Sequence, residues 1–305
     1  MPVIKARNIA WCRLRAPDLD VMEQFLTDFG LVRAERTETA LYMRGTGPRP
    51  FIHVTEQGPA GFIGFAYEAE SAADLEKVAQ LPGASGIEDL EVPGGGRRVV
   101  LREPNGYQIE VVHGMGQVAP IAPEPLMRRS FDPSMRKGAA RVVRLAHGVF
   151  ATPDPRATLD WFHETLGFIK TDELWVGDKF VGGFYRVDAG EDPVDHHVIF
   201  CNRNERAGMH HVSFEVQDVN DVFFGHNHLK MAGRDYEHIR GISRHALGSQ
   251  IFDYWMSPYD QMHEHWSSNE RFNSDSAAND IQIAEGLQHE GGEKPSERFV
   301  KQSTP

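Results

Sequence analysis

The chain has 305 residues, of which 40% are hydrophobic and 25% charged, and its formal net charge is −12. This composition is typical of a globular protein with well-buried cores, and the acidic charge argues against nucleic-acid binding, which requires clustered Lys and Arg. With Cys12 and Cys201 as the only cysteines, a reducing compartment is expected and a disulfide framework is not. Because no signal peptide or uncharged run of membrane-spanning length is present, we predict a cytoplasmic protein without a membrane partner.

The first predicted elements are a strand, a Pro-Asp turn and an amphipathic helix. The strand begins at Ile9, and the helix has Phe25 at its centre and ends at Gly30. A second strand, turn and helix follow from Ala60, and a turn after Pro104 leads into a last strand.

The second half of the chain repeats this order of elements. A strand from Leu145 leads through a Pro-Asp turn into a helix with Trp161 at its centre and Gly167 at its end. A second strand and helix begin at Met209, and a turn after Pro258 leads into the last strand. The repeat predicts two similar halves, each a pair of βαβββ-type units.

The repeat and the local composition also predict the domain boundaries. We assign residues 1–113 to an N-terminal domain without a catalytic site and residues 141–272 to a C-terminal, metal-binding domain. Residues 114–140 contain four prolines and no clear periodicity, which is typical of a linker. Residues 273–305 are polar and form a lid, an intersubunit arm or a frayed tail.

Three residues of the second half lie at equivalent points of strand-like segments. His147 lies in LAHGVFAT, His211 in MHHVSFEV and Glu264 in DQMHEHW. Because consecutive strand residues point to opposite faces, His210 cannot face the same ion as its neighbour. Two imidazoles and one carboxylate are the ligands of a facial non-haem Fe(II) site, which leaves three coordination positions open. The sequence therefore predicts one metal centre in this half.

The corresponding positions of the first half lack both imidazoles. Superposition of the two repeats places Trp11 and Phe62 opposite the two histidines and Glu110 opposite the carboxylate. One carboxylate cannot hold a metal ion alone, so the first half is predicted to be a scaffold.

His245, Tyr254, Pro258 and Glu264 follow one another near the end of the second half. This order, a His followed by a Tyr, a Pro and a Glu, resembles the signature of the type I extradiol ring-cleavage dioxygenases of the vicinal oxygen chelate superfamily. Catechol 2,3-dioxygenases and dihydroxybiphenyl dioxygenases are examples. The architectural resemblance covers most of the chain, and the specific motifs are confined to residues 145–266.

The resemblance implies an α+β fold of two tandem vicinal-oxygen-chelate (glyoxalase-like) domains, each an incompletely closed mixed β-barrel. It further implies an enzyme of aromatic compound degradation that inserts both atoms of O2 into a catechol-type substrate by extradiol (meta) cleavage. The implied cofactor is Fe(II), with Mn(II) as the alternative metal. A homo-oligomer is also expected from the family.

The resemblance implies roles for three further residues. In the family, a His fifteen positions before the second metal ligand is the acid-base residue, and this spacing selects His196 rather than His197. An imidazole titrates near neutral pH and suits this role. Tyr254 is expected to donate a hydrogen bond to a substrate oxygen, and His245 to contact a substrate hydroxylate.

Several polar residues lie outside this scheme. Asp253 stands where the family has an apolar residue, which predicts altered local packing, and Asp260 stands in a turn, which Asp tolerates well. An anionic substrate would require an arginine, and the candidates are Arg206, Arg240 and Arg244. Five other histidines are predicted to lie on helix or loop surfaces: His163, His226, His228, His238 and His289.

Two other functions are considered. A glyoxalase-like isomerase or lyase would use Zn(II), Ni(II) or Mn(II). Such a site usually has a second carboxylate and is often assembled from two modules, whereas the first half has Trp11 and Phe62 at the positions that match the two histidines. A metal-free small-ligand-binding protein of the same superfamily would have no need of a complete triad. Both alternatives are therefore less favoured than ring cleavage.

Overall fold

The computed structural model describes residues 1–122, 138–288 and 290–305. The middle of the predicted linker and His289 therefore lie outside the described residues. Within the described part, the chain forms an α+β fold with two large mixed sheets, neither of which closes into a barrel. None of the helices described is both long enough and apolar enough to cross a membrane.

The first half forms an eight-stranded sheet with two helices. Its strands are β1 (Ile9–Ala16), β2 (Val32–Arg36), β3 (Ala40–Arg44), β4 (His53–Gln57), β5 (Gly61–Glu68), β6 (Glu88–Asp89), β7 (Arg97–Arg102) and β8 (Gln108–His113), and its helices are α1 (Leu19–Phe29) and α2 (Ala72–Val78). The strand order in the sheet is β2-β3-β4-β1-β5-β8-β7-β6. Strand β1 is parallel to β4 and antiparallel to β5, and β5 is parallel to β8.

Over its described residues, the second half forms a nine-stranded sheet, a two-stranded sheet and four helices. Its strands are β9 (Val142–Thr152), β10 (Ile169–Val176), β11 (Lys179–Arg186), β12 (Val194–Asp195), β13 (Ile199–Arg203), β14 (Gly208–Val216), β15 (Glu237–Arg244), β16 (Ile251–Met256), β17 (Met262–Ser267), β18 (Arg271–Phe272) and β19 (Asn279–Gln282). Its helices are α3 (Pro155–Leu166), α4 (Val219–Met231), α5 (Ile283–Gln288) and α6 (Glu297–Val300). The large sheet has the order β15-β16-β17-β14-β9-β13-β11-β10-β19, and β12 pairs with β18.

The predicted Pro-Asp turns cap the first helix of each half. Asp18 accepts hydrogen bonds from two backbone amides in the first turn of α1, and Asp154 accepts one in the first turn of α3. Gly30 and Gly167 end these helices with φ angles of 114° and 75°, a left-handed conformation that favours glycine. The predicted positions of both helices are therefore confirmed.

One hydrophobic core spans both halves. The ring of Phe150 on β9 packs edge-on against that of Phe65 on β5, with centroids 5.3 Å apart. Phe65 also lies against the backbone of Gly148, where a Cβ atom would come within 2.4 Å of the ring. The first half thus packs directly against the strand that carries His147.

The three central strands of the first large sheet are paired in the same register as the three central strands of the second. In the second sheet Ser213 is paired with both His147 and Glu264. In the first sheet Ala66 is paired in the same way with Trp11 and Glu110. The predicted equivalence of these tryptophan, histidine and glutamate positions is therefore confirmed.

The predicted equivalence of Phe62 and His211 is wrong by two residues. His211 is two residues before Ser213, so the strand pairing makes Gly64 its counterpart. The sequence superposition matched similar side chains, whereas backbone pairing decides the register. A Cβ atom on Gly64 would lie 1.8 Å from a carbonyl oxygen of β8, so this position has no room for an imidazole.

Glu110 is used in ion pairs. Its carboxylate lies 2.7 Å from Nε of Arg13 and 2.8 Å from Nη1 of Arg98, and the indole Nε1 of Trp11 donates to it at 3.3 Å. Burial alone would raise the pKa of Glu110, but the two guanidinium groups hold it below its ordinary value. The charge of this buried carboxylate is thus neutralised by arginines.

We expect Glu110→Gln to lower the free energy of unfolding by about 3 kcal/mol, because it leaves the buried guanidinium group of Arg13 and the partly buried one of Arg98 without their shared partner. Urea denaturation of the purified variant measures the change. Glu88→Gln is the matched control: Glu88 contacts the same Arg98, but its side chain is 45% exposed, so we expect a loss of less than about 1 kcal/mol. Equal losses in the two variants would contradict the assignment.

Candidate metal centre

His147, His211 and Glu264 converge on one point of the second sheet. They lie on β9, β14 and β17, which are adjacent strands, and their register with Ser213 places them on one face. Glu264 Oε2 lies 3.2 Å from His147 Nε2 and 3.4 Å from His211 Nε2. One ligand atom of each residue lies within 4.8 Å of the others. A single divalent cation could bind all three.

The protonation states of this triad suit a metal ion. The Glu264 side chain is 1% exposed, and its Oε2 has no hydrogen-bond partner among the described residues. Burial alone would raise the pKa of Glu264, but the adjacent imidazoles hold it well below its ordinary value. Burial lowers the pKa of His147. A charged carboxylate and a neutral imidazole are the forms that offer lone pairs to a cation.

The triad lies at the wall of an open cavity of about 230 Å³. Most of the lining is apolar or aromatic, and it includes side chains from the C-terminal segment after residue 273. Six of the apolar lining residues are Leu174, Phe184, Phe200, Leu247, Ile283 and Phe299. The cavity therefore suits a ligand with an apolar ring.

His197, rather than His196, lies beside the triad. The His197 ring lines the cavity, and its centroid is 4.0 Å from that of His147. His196 does not line the cavity; its Nε2 lies 2.7 Å from Asp172 Oδ2, and its Nδ1 lies 3.0 Å from Nδ1 of His197. The expectation that His196 faces the metal centre is therefore wrong. Both residues lie between β12 and β13, outside regular strand, so a residue count could not decide which one faces inward.

Tyr254 and His245 line another side of the same cavity. The Tyr254 hydroxyl lies 3.0 Å from His245 Nε2, and His245 Nδ1 lies 2.8 Å from Glu290 Oε1. Burial raises the pKa of Tyr254 well above its ordinary value. Burial alone would lower the pKa of His245, but Glu264 and Glu290 raise it. Both side chains thus favour their protonated forms.

Glu290 is a cavity residue that the sequence did not indicate. It accepts a hydrogen bond from Arg240 Nη2 at 2.9 Å in addition to its contact with His245. Of the three candidate arginines, Arg240 lines the cavity, and Arg206 and Arg244 do not. Glu290 lies in a polar segment without a periodic pattern, so no sequence signal could have placed it here.

The two aspartates that depart from the family signature differ in their surroundings. Asp260 lies in a turn with a φ angle of 57°, a conformation that Asp tolerates. Asp253 is fully buried, and His226 and His238 contact its carboxylate. Both histidines are partly exposed, with side chains 13% and 24% accessible, but their rings contact this buried carboxylate instead of lying free on a helix or loop surface. His163 is exposed, as predicted.

Residues 144–261 match the family model described as the Glyoxalase/Bleomycin resistance protein/Dioxygenase superfamily. Over 256 residues the chain is 29% identical to Metapyrocatechase 2 of Cupriavidus necator, a match that covers 81% of this chain and 76% of the relative. It is 25% identical over 234 residues to an iron-dependent extradiol dioxygenase of Rhodococcus jostii (strain RHA1), covering 71% and 74% of the two chains. It is 24% identical over 260 residues to a manganese-dependent 2,3-dihydroxybiphenyl 1,2-dioxygenase of Geobacillus genomosp. 3, covering 80% and 79%.

A solved structure with the same fold is homoprotocatechuate 2,3-dioxygenase from Brevibacterium fuscum in an anaerobic complex with 3,4-dihydroxyphenylacetate. Its TM-score is 0.80 at 19% identity, and the match covers 99% of this chain and 95% of that one. This likeness establishes the fold. The predicted α+β vicinal-oxygen-chelate architecture and the predicted resemblance to extradiol dioxygenases are confirmed.

We expect His211→Ala to lose most of its bound metal, because the remaining imidazole and carboxylate provide two ligands instead of three. Inductively coupled plasma mass spectrometry of the protein, purified after anaerobic loading with Fe(II), measures the metal content. His163→Ala is the control, since His163 lies on α3 and outside the cavity lining. Iron at the wild-type level in His211→Ala would exclude the triad as the metal centre.

Proposed function

We propose that this chain is an extradiol ring-cleavage dioxygenase of the Glyoxalase/Bleomycin resistance protein/Dioxygenase superfamily, and that it inserts both atoms of O2 into a catechol-type diol. The convergence of His147, His211 and Glu264 at the wall of an apolar cavity carries this proposal. The relatives named as metapyrocatechase and extradiol dioxygenase support it.

Fe(II) is the proposed metal, with Mn(II) as the alternative. The relatives include one iron-dependent and one manganese-dependent dioxygenase, and two imidazoles with one carboxylate suit either ion. His147, His211 and Glu264 would hold the metal, which when bound would supply the electron transfer between the diol and dioxygen. The protein residues around it position the diol and move its protons.

His197 is the proposed acid-base residue. With the His196 Nε2 proton donated to Asp172, His196 Nδ1 accepts the Nδ1 proton of His197 and leaves Nε2 of His197 with a free lone pair. Burial and the adjacent imidazoles lower the pKa of His197 well below its ordinary value. The ring is therefore neutral and can accept a proton from a diol hydroxyl and later return it to the ring-opened product. His196 and Asp172 position this ring.

Tyr254 and His245 are the proposed residues that orient the diol. Because the pKa of Tyr254 is raised, its phenol keeps its proton and can donate a hydrogen bond to a substrate oxygen. His245 is held by Glu290 and faces the same cavity. Its raised pKa favours the protonated form, which stabilises negative charge on a substrate oxygen.

A glyoxalase-like isomerase or lyase would be expected to use a second carboxylate. Among the described residues that line the cavity, Glu290 is the carboxylate other than Glu264. Glu290 is already paired with Arg240 and His245, so it is not free to serve as a second carboxylate ligand of the metal. This pairing favours ring cleavage over the rival reaction.

Three further expectations from the sequence stay predictions: the domain boundaries, a cytoplasmic location and a homo-oligomer. The C-terminal segment supplies Ile283, Phe299 and Val300 to the cavity lining. This contribution supports the lid among the three roles considered for residues 273–305.

We expect the Fe(II)-loaded protein to consume one O2 per diol and to form a yellow ring-opened product. An oxygen electrode and visible absorption measure the reaction with catechol, 2,3-dihydroxybiphenyl and 3,4-dihydroxyphenylacetate. The same protein stripped of metal by a chelator is the control. Absence of oxygen uptake with all three diols, at full iron occupancy, would contradict the proposed function.

We expect His197→Gln to lower kcat by about 10²- to 10⁴-fold at unchanged metal content, because the proton acceptor is lost. His196→Gln is the matched variant, and we expect a smaller loss in kcat and a shifted pH profile, since His196 acts through His197. Steady-state kinetics with metal analysis measures both. A larger loss in His196→Gln than in His197→Gln would reverse the assignment.

A further inference from the structure

A second cluster of metal-binding side chains lies on the opposite face of the second sheet. Asp253 lies on β16, His238 on β15 and His226 on α4, and one ligand atom of each lies within 4.8 Å of the others. None of the three lines the cavity. Tyr254 does, and consecutive strand residues point to opposite faces. The cluster is therefore separate from the triad.

Asp253 is a buried carboxylate with two imidazoles in reach. His226 Nδ1 lies 3.1 Å from each carboxylate oxygen, His238 Nε2 lies 2.8 Å from Oδ1, and Trp255 Nε1 donates to Oδ2 at 2.6 Å. Asp253 is 0% exposed, whereas the side chains of His226 and His238 are 13% and 24% exposed. The two histidines thus lie between the carboxylate and solvent, where an ion could enter.

A further imidazole borders this cluster. His265 on β17 is paired in register with Asp253 and lies on the same face. Its Nε2 donates to the Phe29 carbonyl at 2.6 Å, so Nδ1 keeps its lone pair; this fully buried atom has no hydrogen-bond partner among the described residues. The ring packs against Gly225, the neighbour of His226, where a Cβ atom would lie 3.0 Å from Nδ1. His265 therefore places a further nitrogen lone pair beside the Asp253 cluster.

We propose that Asp253, His226 and His238 form a second divalent-cation site, which takes Zn(II) or an ion of similar ligand preference and does not take part in the reaction. Ligand atoms around tetrahedral Zn(II) lie about 3.4 Å apart, since Zn–N and Zn–O bonds are ~2.1 Å long. The carboxylate-to-imidazole distances of 2.8 and 3.1 Å need to open by a few tenths of an ångström. Water from the exposed side completes the coordination.

The position of the cluster assigns the ion a structural role. It would join α4 to β15 and β16, the two strands that follow this helix in the chain. Asp253 also stands where the signature of the extradiol dioxygenases has an apolar residue, so the site depends on a departure from that signature. The inference does not rest on the proposed ring-cleavage function.

Metal counting in the full-length protein tests this site. Wild-type protein and variants are stripped with a chelator and dialysed against Zn(II), and bound zinc is measured by mass spectrometry. We expect two ions per chain in the wild type, one in His211→Ala, one in Asp253→Asn and none in the double variant. His228→Gln is the matched control on the same helix and should keep two. No zinc in His211→Ala, or equal zinc in His211→Ala and His211→Ala/Asp253→Asn, would overturn the proposal.

A second variant covers the case in which Asp253→Asn fails to fold. His238→Gln changes a partly exposed side chain and should remove the same ion. In the His211→Ala background, saturating zinc should raise the Tm by roughly 5 °C, and His238→Gln should abolish this rise. An unchanged rise with His238→Gln would show that the ion binds elsewhere, and would overturn the proposal.

Discussion

The buried carboxylate of Glu264 is the constraint on which the second half depends. A carboxylate with no hydrogen-bond partner for one oxygen needs a compensating positive charge. The same fold meets this need differently in the first half, where Arg13 and Arg98 neutralise Glu110. In the second half, His147 and His211 occupy the space and offer lone pairs instead of charge. One architecture thus supports a closed ion-pair cluster in one sheet and a candidate cation site beside an open cavity in the other.

The first half supports the candidate metal centre through packing. Phe65 lies against Gly148, so any side chain at that position would displace the ring and disturb the neighbouring His147. On the other face of β17, His263 lies 3.3 Å from His53 of the first half, and His265 donates to the Phe29 carbonyl. Strand β17 is therefore held from behind by the first half while Glu264 faces the cavity. The positions of the triad side chains are fixed by these contacts.

Strand alternation separates the chemistry of the two faces of the second sheet. Tyr254 and Glu264 face the cavity, whereas Asp253 and His265 face the helices. A charged residue on the face that packs against the helices would normally be costly to bury. At Asp253 the cost is offset by Trp255 and two histidines, which is why this departure from an apolar residue can be accommodated.

The sequence by itself determined the two-fold repeat, the capped helices and the three triad positions, because each depends on local periodicity and on the spacing of strand residues. Tertiary structure alone decided what lies between regular elements or arrives from distant ones. His197 instead of His196 faces the cavity because the chain is irregular there. Gly64 instead of Phe62 is the counterpart of His211, because backbone pairing sets the register. Glu290 reaches the cavity from a polar segment without periodicity. His226 and His238 meet Asp253 only because α4 packs on β15 and β16. Local patterns predict which way a regular side chain points, but contacts between distant segments depend on how the whole chain packs.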